Sequence, residues 1–214
     1  GILDKEKVFF NISSDEKKEG EKILRDVIKH DFKGIVLFCV RNKDYNDKYF
    51  SYHHWDYLDY RNYSFEDFMP AAEFLAKKNY VVLRMGKYNS SKLHTDNKNI
   101  IDYSTSEWRS DFMDYYLGYR SSFCISTQTG MDCFARLFRK PFGVIVNPIE
   151  DIFYFQKNWK HIFGFIKEIR ENKILNMNEI LSNKLHLLST FDKLNKNQFK
   201  LIKNNKKEIL YLVE

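Results

Sequence analysis

Gly34-Ile-Val-Leu-Phe-Cys-Val-Arg41 is a continuous apolar run, rich in β-branched residues and closed by a charge. It is too short for a helix and lacks the alternation of a strand with one wet face. It therefore predicts a strand buried on both faces, as in a parallel sheet. Tyr80-Val-Val-Leu-Arg-Met85, closed by Gly86, repeats the pattern. Ile100-Ile-Asp-Tyr103, Ser122-Phe-Cys-Ile125 and Phe142-Gly-Val-Ile-Val146 predict three more strands, the last stopped by Asn147-Pro148. Helical patterns fall between them. Ser13 with Glu16 forms a capping box ahead of Ile23, Leu24, Val27 and Ile28, which predicts a helix from about Asp15 to His30. Ser64 with Asp67 opens a second helix, Ser106 a third carrying Trp108 and Phe112, and Thr127-Gln-Thr-Gly130 turns into a fourth. Strands alternating with helices predict an α/β fold, a Rossmann-like parallel sheet with helices on both faces and right-handed crossovers. The expected organisation is a Rossmann-like domain over residues 1–150. A C-terminal helical extension over 151–214 packs on the same domain, with short helices near Asn178 to Ser182 and from about Asn195.

Composition narrows the function classes. Hydrophobic residues make up 43% of the 214 and aromatic residues 17%, which excludes a disordered tail. Eight Gly and three Pro, with no repeat, exclude collagen-like and solenoid chains. The longest apolar runs fall far short of the ~20 residues of a membrane-spanning helix. Cys39, Cys124 and Cys133 form no CxxC pair and suit buried thiols in a reducing compartment, so the expected location is cytoplasmic, with peripheral contact to the inner membrane left open. The net charge of +6 raises nucleic acid as a partner, but the basic residues are scattered and interrupted by acids or Asn, as on solvated helix faces. Nucleic acid is not expected.

In open parallel sheets, ligands bind beyond the carboxyl ends of the strands. Arg41 and Arg84 stand there, and a guanidinium fork suits two phosphate oxygens. Two forks at one sheet end suggest a diphosphate; the competing reading pairs each arginine with a carboxylate such as Asp44 or Asp102. Gly86 directly follows the second of these strands. Ser126-Thr-Gln-Thr-Gly130 lies between a strand and a helix, where backbone N–H groups favour anions, although Thr127 and Thr129 could equally cap the helix. Residues 42–63 have no period and are crowded with aromatic side chains. Such a loop suits a sugar, a protein interface or its own small core. Within it, Asp44 and His54 are the candidates for a general base, with loop packing as the alternative for the histidine. No GxGxxG, Walker loop, HExxH or Cys/His cluster is present, so no cofactor and no metal are expected.

Six short motifs occur in order: Phe38-Cys-Val-Arg41, Tyr60-Arg-Asn-Tyr63, Leu83-Arg-Met-Gly86, Ile101-Asp-Tyr103, Arg109-Ser-Asp-Phe112 and Ser126-Thr-Gln-Thr-Gly130. Together they resemble a family of bacterial glycosyltransferases associated with surface-polysaccharide synthesis, distantly similar to fucosyltransferase-like enzymes of the two-lobed GT-B fold. The resemblance spans roughly Phe9 to Pro148. It departs from the family at Asn42, where an acid is common, and at Ser126 and Gln128, where Gly and a small hydroxyl residue are usual. It implies a metal-independent transferase whose C-terminal, Rossmann-like lobe holds a nucleotide-sugar donor. Arg41 would lie on the diphosphate, with Arg84, Gly86, Ser126, Thr127, Thr129 and Gly130 around it. Asp111 would either bond the nucleoside or cap its helix. The implied acceptor is a glycan or a lipid-linked glycan, and the N-terminal acceptor lobe, the alternative source of the general base to Asp44 and His54, is expected to lie outside this chain. The alternative is a non-catalytic module derived from the same fold, binding a glycan or a protein.

Overall fold

The computed structural model describes residues 5, 8, 10–146, 157–187 and 191–214. Six strands form one parallel sheet: β1 (Gly34–Cys39), β2 (Tyr80–Arg84), β3 (Ile100–Ile101), β4 (Phe123–Ser126), β5 (Phe142–Val146) and β6 (Trp159–Phe163). Their spatial order is β3-β2-β1-β4-β5-β6, with every neighbouring pair parallel. This is the Rossmann-like, doubly wound arrangement, and the order reverses between β1 and β4. All six residues of β1 are buried, as a central strand covered on both faces requires.

One face of the sheet carries α1 (Ser14–Val27), with α4 (Asp111–Arg120) and α5 (Cys133–Leu137), through Leu24, Met113, Tyr116, Leu117 and Ala135. The opposite face carries α3 (Met69–Lys77) through Phe68, Ala72 and Leu75, joined by Ile209 and Leu212 of the C-terminal end. The capping box of α1 is present: Ser13 N–H donates to Glu16 Oε2 at 2.8 Å, and Glu16 N–H to Ser13 Oγ at 3.2 Å. Ser64 caps a 3₁₀ turn over Phe65–Asp67, and α3 follows with Pro70 in its first turn, where no N–H is needed. The third predicted helix starts later than its sequence suggests. Ser106 closes a 3₁₀ turn, and Ser110, accepting from Met113 N–H at 3.1 Å, is the cap of α4. Gly118 lets α4 and α5 touch, since a Cβ there would lie 2.7 Å from the Phe134 carbonyl carbon. Gly118→Ala is expected to lower stability by about 1–3 kcal/mol, because the obstacle is backbone and cannot rotate away; chemical denaturation measures it.

After residue 150 the chain departs from the purely helical extension expected. Trp159–Phe163 becomes β6, paired in register with β5 from Phe142↔Trp159 to Val146↔Phe163. A three-stranded antiparallel sheet follows, in the order β8-β7-β9: β7 (Phe165–Glu168), β8 (Lys173–Ile174) and β9 (Phe199–Ile202). With it come α6 (Met177–Ser182), α7 (Phe191–Lys196) and α8 (Lys206–Tyr211); the helix near Asn178 is thus present, and β9 interrupts the one expected from Asn195. Ile166, Leu175, Ile180, Leu185, Leu194 and Leu201 make a separate small core. Tyr60, from the long aromatic loop, is buried in that core. Among the described residues no helix is long and apolar enough to cross a membrane.

Candidate functional site

A cleft of about 930 Å³ opens over the carboxyl end of the sheet, a size suited to a nucleotide-scale ligand. Its wall is built from the segments that leave β1 (Val40, Arg41, Asn42), β2 (Met85 to Asn89) and β4 (Gln128 to Asp132), together with Arg61, Arg109 and Arg136. This is the crevice at the strand-order reversal, where doubly wound sheets bind ligands. Hydrogen bonds between the ends of β1 and β4 hold its edges together. Arg41 N–H donates to Thr127 Oγ1 at 2.8 Å, and Thr127 N–H donates to the Cys39 carbonyl at 3.1 Å.

Two of the four lining arginines, Arg41 and Arg61, are anchored by backbone carbonyls. Arg41 Nη1 donates to the Leu58 carbonyl at 3.2 Å and to Asn62 Oδ1. Arg61 Nη2 donates to the Gln128 carbonyl at 2.9 Å. Burial, and then the like charge of Arg61, hold the Arg41 guanidinium below its ordinary pKa. The Asp59 carboxylate acts in the opposite sense. Both arginines line the cleft, so an anion bound there meets two guanidiniums. Arg61 reaches the cleft because loop 42–63 folds back on itself, with Tyr63 N–H donating to the Arg41 carbonyl at 2.9 Å. Within the loop lie α2 (Asp44–Tyr49) and a 3₁₀ helix, Asp56–Arg61.

The turn after β4 differs from an open row of N–H donors. Gln128 N–H donates to Ser126 Oγ at 2.8 Å, Thr129 N–H to Asp132 Oδ2 at 3.2 Å, and Met131 N–H to Thr129 Oγ1 at 3.0 Å. Thr129 is therefore the cap of the 3₁₀ turn Gly130–Asp132, and Ser126 donates its hydroxyl to buried Asp132, which also pairs with Arg136 at 2.8 Å. Gly130 lines the cleft, and a Cβ added there would meet nothing within 4 Å. These N–H groups are occupied from within the turn, and the cations that line the cleft are Arg41, Arg61, Lys87, Arg109 and Arg136.

Arg84 does not stand with Arg41. It is the last residue of β2, in register with Phe38, three residues before Arg41. Its guanidinium bonds Asp102 at 3.2 Å, the Ser91 carbonyl at 2.9 Å and Asn89 Oδ1 at 2.9 Å, behind the cleft wall. The pairing with Asp102 is the one the sequence left open as the alternative. Gly86 lines the cleft, with Asn89 packed behind it. Asp111 lies in the first turn of α4 and pairs with Arg109 at 3.1 Å, both on the cleft wall. Asp44 Oδ2 accepts from Ser90 N–H at 2.7 Å, Ser90 Oγ at 2.8 Å and Asn42 Nδ2 at 3.1 Å, so it ties α2 to the segment after β2. Asp44 and the exposed His54 both stand outside the residues that line the cleft.

Arg61, Arg109 and Arg136 enter the site from structure. The first two belong to motifs quoted above without a role, and only the fold brings them to the strand ends. The aromatic loop forms a continuous ring cluster through Tyr45, Tyr49, Phe50, Trp55 and Tyr57, reaching Tyr88 on the segment after β2. Tyr45 and Tyr88 also line the cleft. Among the described residues no group of three or more His, Cys, Asp or Glu converges as a metal site. No family model, no curated protein and no solved structure matches the chain, so the site is read from its own geometry.

Proposed function

We propose that this chain is the donor-binding lobe of a glycosyltransferase, holding the diphosphate of a nucleotide sugar between Arg41 and Arg61. The observation that carries this reading is that Arg41 and Arg61 both line the cleft at the strand-order reversal of a parallel sheet. Guanidinium forks match phosphate oxygens in pairs, and a cation already repelled by its neighbour gains from an anion. In such a transfer the acceptor hydroxyl oxygen bonds to the anomeric carbon as the bond to the diphosphate oxygen breaks. The hydroxyl proton passes to a base, and negative charge grows on the departing nucleoside diphosphate. Preorganised cations stabilise that growing charge, which is the part of the reaction this chain supplies. The acceptor, a glycan or lipid-linked glycan, belongs to the other lobe of a two-lobed enzyme.

A thermal-shift panel with UDP, GDP, dTDP, CMP and ADP, run with and without magnesium, tests the proposal. One nucleotide is expected to raise the melting temperature to a similar extent with and without metal, because a ligand that binds only the native state adds stability. A flat response across the panel rejects the donor site. The exposed Tyr49 of the ring cluster and Tyr52, whose ring lies 6.3 Å from that of Phe50, at 46% and 81% exposure, support the second reading, a non-catalytic module that binds a glycan or protein through this loop.

A further inference from the structure

Arg61 and the partners of Arg41 sit on a short stretch, residues 58–63, that the parallel sheet does not hold by itself. Leu58 and Tyr60 pack into the small C-terminal core, whereas Tyr63 packs with the main one. Between those anchors, Lys203 reaches across from the segment after β9, and its Nζ donates to the Asp59 carbonyl at 3.2 Å and to the Asn62 carbonyl. Its Nζ also lies 5.3 Å from the centre of the Tyr63 ring. The next residue, Asn204, donates its N–H to Tyr63 Oη at 3.2 Å. Burial pushes the Tyr63 phenol up to about 12, which keeps it a neutral acceptor. Asn205 then caps α8, whose Ile209 is buried in the main core. Residues 203 and 204 are therefore held at both ends, by β9 and by α8.

Resting on the donor reading above, we propose that Lys203 is a positioning residue for the diphosphate site. Its ammonium fixes the Asp59–Asn62 turn, so that the Asn62 side chain holds the Arg41 guanidinium and Arg61 faces the cleft. The chain of contacts is short: Lys203 to the Asn62 carbonyl, then Asn62 Oδ1 to Arg41 Nη1. Asn62 is steadied further by its Nδ2 bond to Asp59 Oδ1 at 2.9 Å. An ammonium has three donors and no acceptor, which suits two carbonyls that converge. The C-terminal antiparallel unit thereby becomes part of the ligand site without lining it.

The test is calorimetric titration of the 214-residue protein with inorganic pyrophosphate, UDP, GDP, dTDP, CMP and ADP. Lys203→Met is expected to weaken binding by about tenfold with little change in melting temperature, and Lys203→Arg to recover most of the loss. Asn62→Ala should also weaken binding. The double variant should bind no more weakly than the worse single one, because both act through the same link. Losses that multiply in the double variant would mean that Lys203 acts as a distant charge, and would overturn the proposal. Unaltered binding by a folded Lys203→Met protein would overturn it as well. Should that variant fail to fold, Lys203→Gln, which keeps a donor without the charge, takes its place under the same cycle. If the unsubstituted protein binds none of these probes, the donor reading itself fails and Lys203 falls with it; binding that ignores Lys203 sinks the positioning role alone.

Discussion

Arg41→Ala is expected to reduce diphosphate affinity by roughly thirtyfold to a few thousandfold, because truncating one partner of a buried, hydrogen-bonded charge contact costs about 2–5 kcal/mol. The fold should tolerate the change. Arg41 is half-buried, and its charge is opposed by burial and by Arg61, so its removal relieves repulsion while it loses two bonds, to the Leu58 carbonyl and Asn62. These terms oppose each other, and the net change in stability should stay within about 1 kcal/mol, equivalent to about 2–4 °C for a chain of this length. Titration with pyrophosphate and the matched nucleoside diphosphate, alongside thermal melting, reads both quantities. Wild-type affinity in a folded Arg41→Ala protein would remove the arginine from the site and the donor assignment with it.

The central sheet was legible because four of its strands are apolar on both faces. β1, β2, β4 and β5 each bury nearly every residue, so composition alone marks them. β6 escaped because it lies at the sheet edge. Trp-Lys-His-Ile-Phe mixes charge with aromatic bulk, and only its register with β5 defines it as a strand. The antiparallel strands are two to four residues long, below the length at which alternation is readable. The start of α4 failed for a different reason. Two serines four residues apart, Ser106 and Ser110, both have the chemistry of a cap, and tertiary contacts decide between them. Tyr103 Oη donates to Asp114 and Ser106 Oγ to the Tyr103 carbonyl, which turns the first serine into the end of a 3₁₀ turn.

The site was legible where a residue follows a strand and illegible where the chain returns from a distance. Arg41 stands beyond the end of β1, on the cleft, as its position in the sequence implies. Arg84 obeys the same rule in sequence but is still within β2, and the difference of three residues in register accompanies its pairing with Asp102. Arg61 is twenty residues past Arg41, on a 3₁₀ helix that no hydrophobic period announces. Its arrival depends on the closing of loop 42–63 and on the C-terminal core that buries Tyr60. Those are long-range contacts, and a local reading of spacing cannot supply them.

The inward course of Arg84 gives the largest stability prediction. Asp102→Ala is expected to destabilise the protein by about 3–5 kcal/mol, because it leaves a charge buried without its partner. The Arg84 and Asp102 side chains are only 9% and 10% exposed, so water cannot take the place of the carboxylate. Asp102 also accepts from Leu93 N–H at 2.8 Å, Thr105 Oγ1 at 3.0 Å and Ser104 Oγ at 2.5 Å, and each of these would lose its acceptor. The melting temperature should fall by roughly 6–20 °C. Arg84→Met combined with Asp102→Leu should recover much of the loss, since a buried pair replaced by apolar side chains of similar size is often neutral. A drop below about 1 kcal/mol for Asp102→Ala, measured by urea denaturation, would mean that water reaches the pair and screens it. A double variant no better than the single one would place the cost in the orphaned Leu93, Thr105 and Ser104 donors and not in the guanidinium. Either way the measurement separates the arginine that holds the sheet end together from the one that faces the cleft.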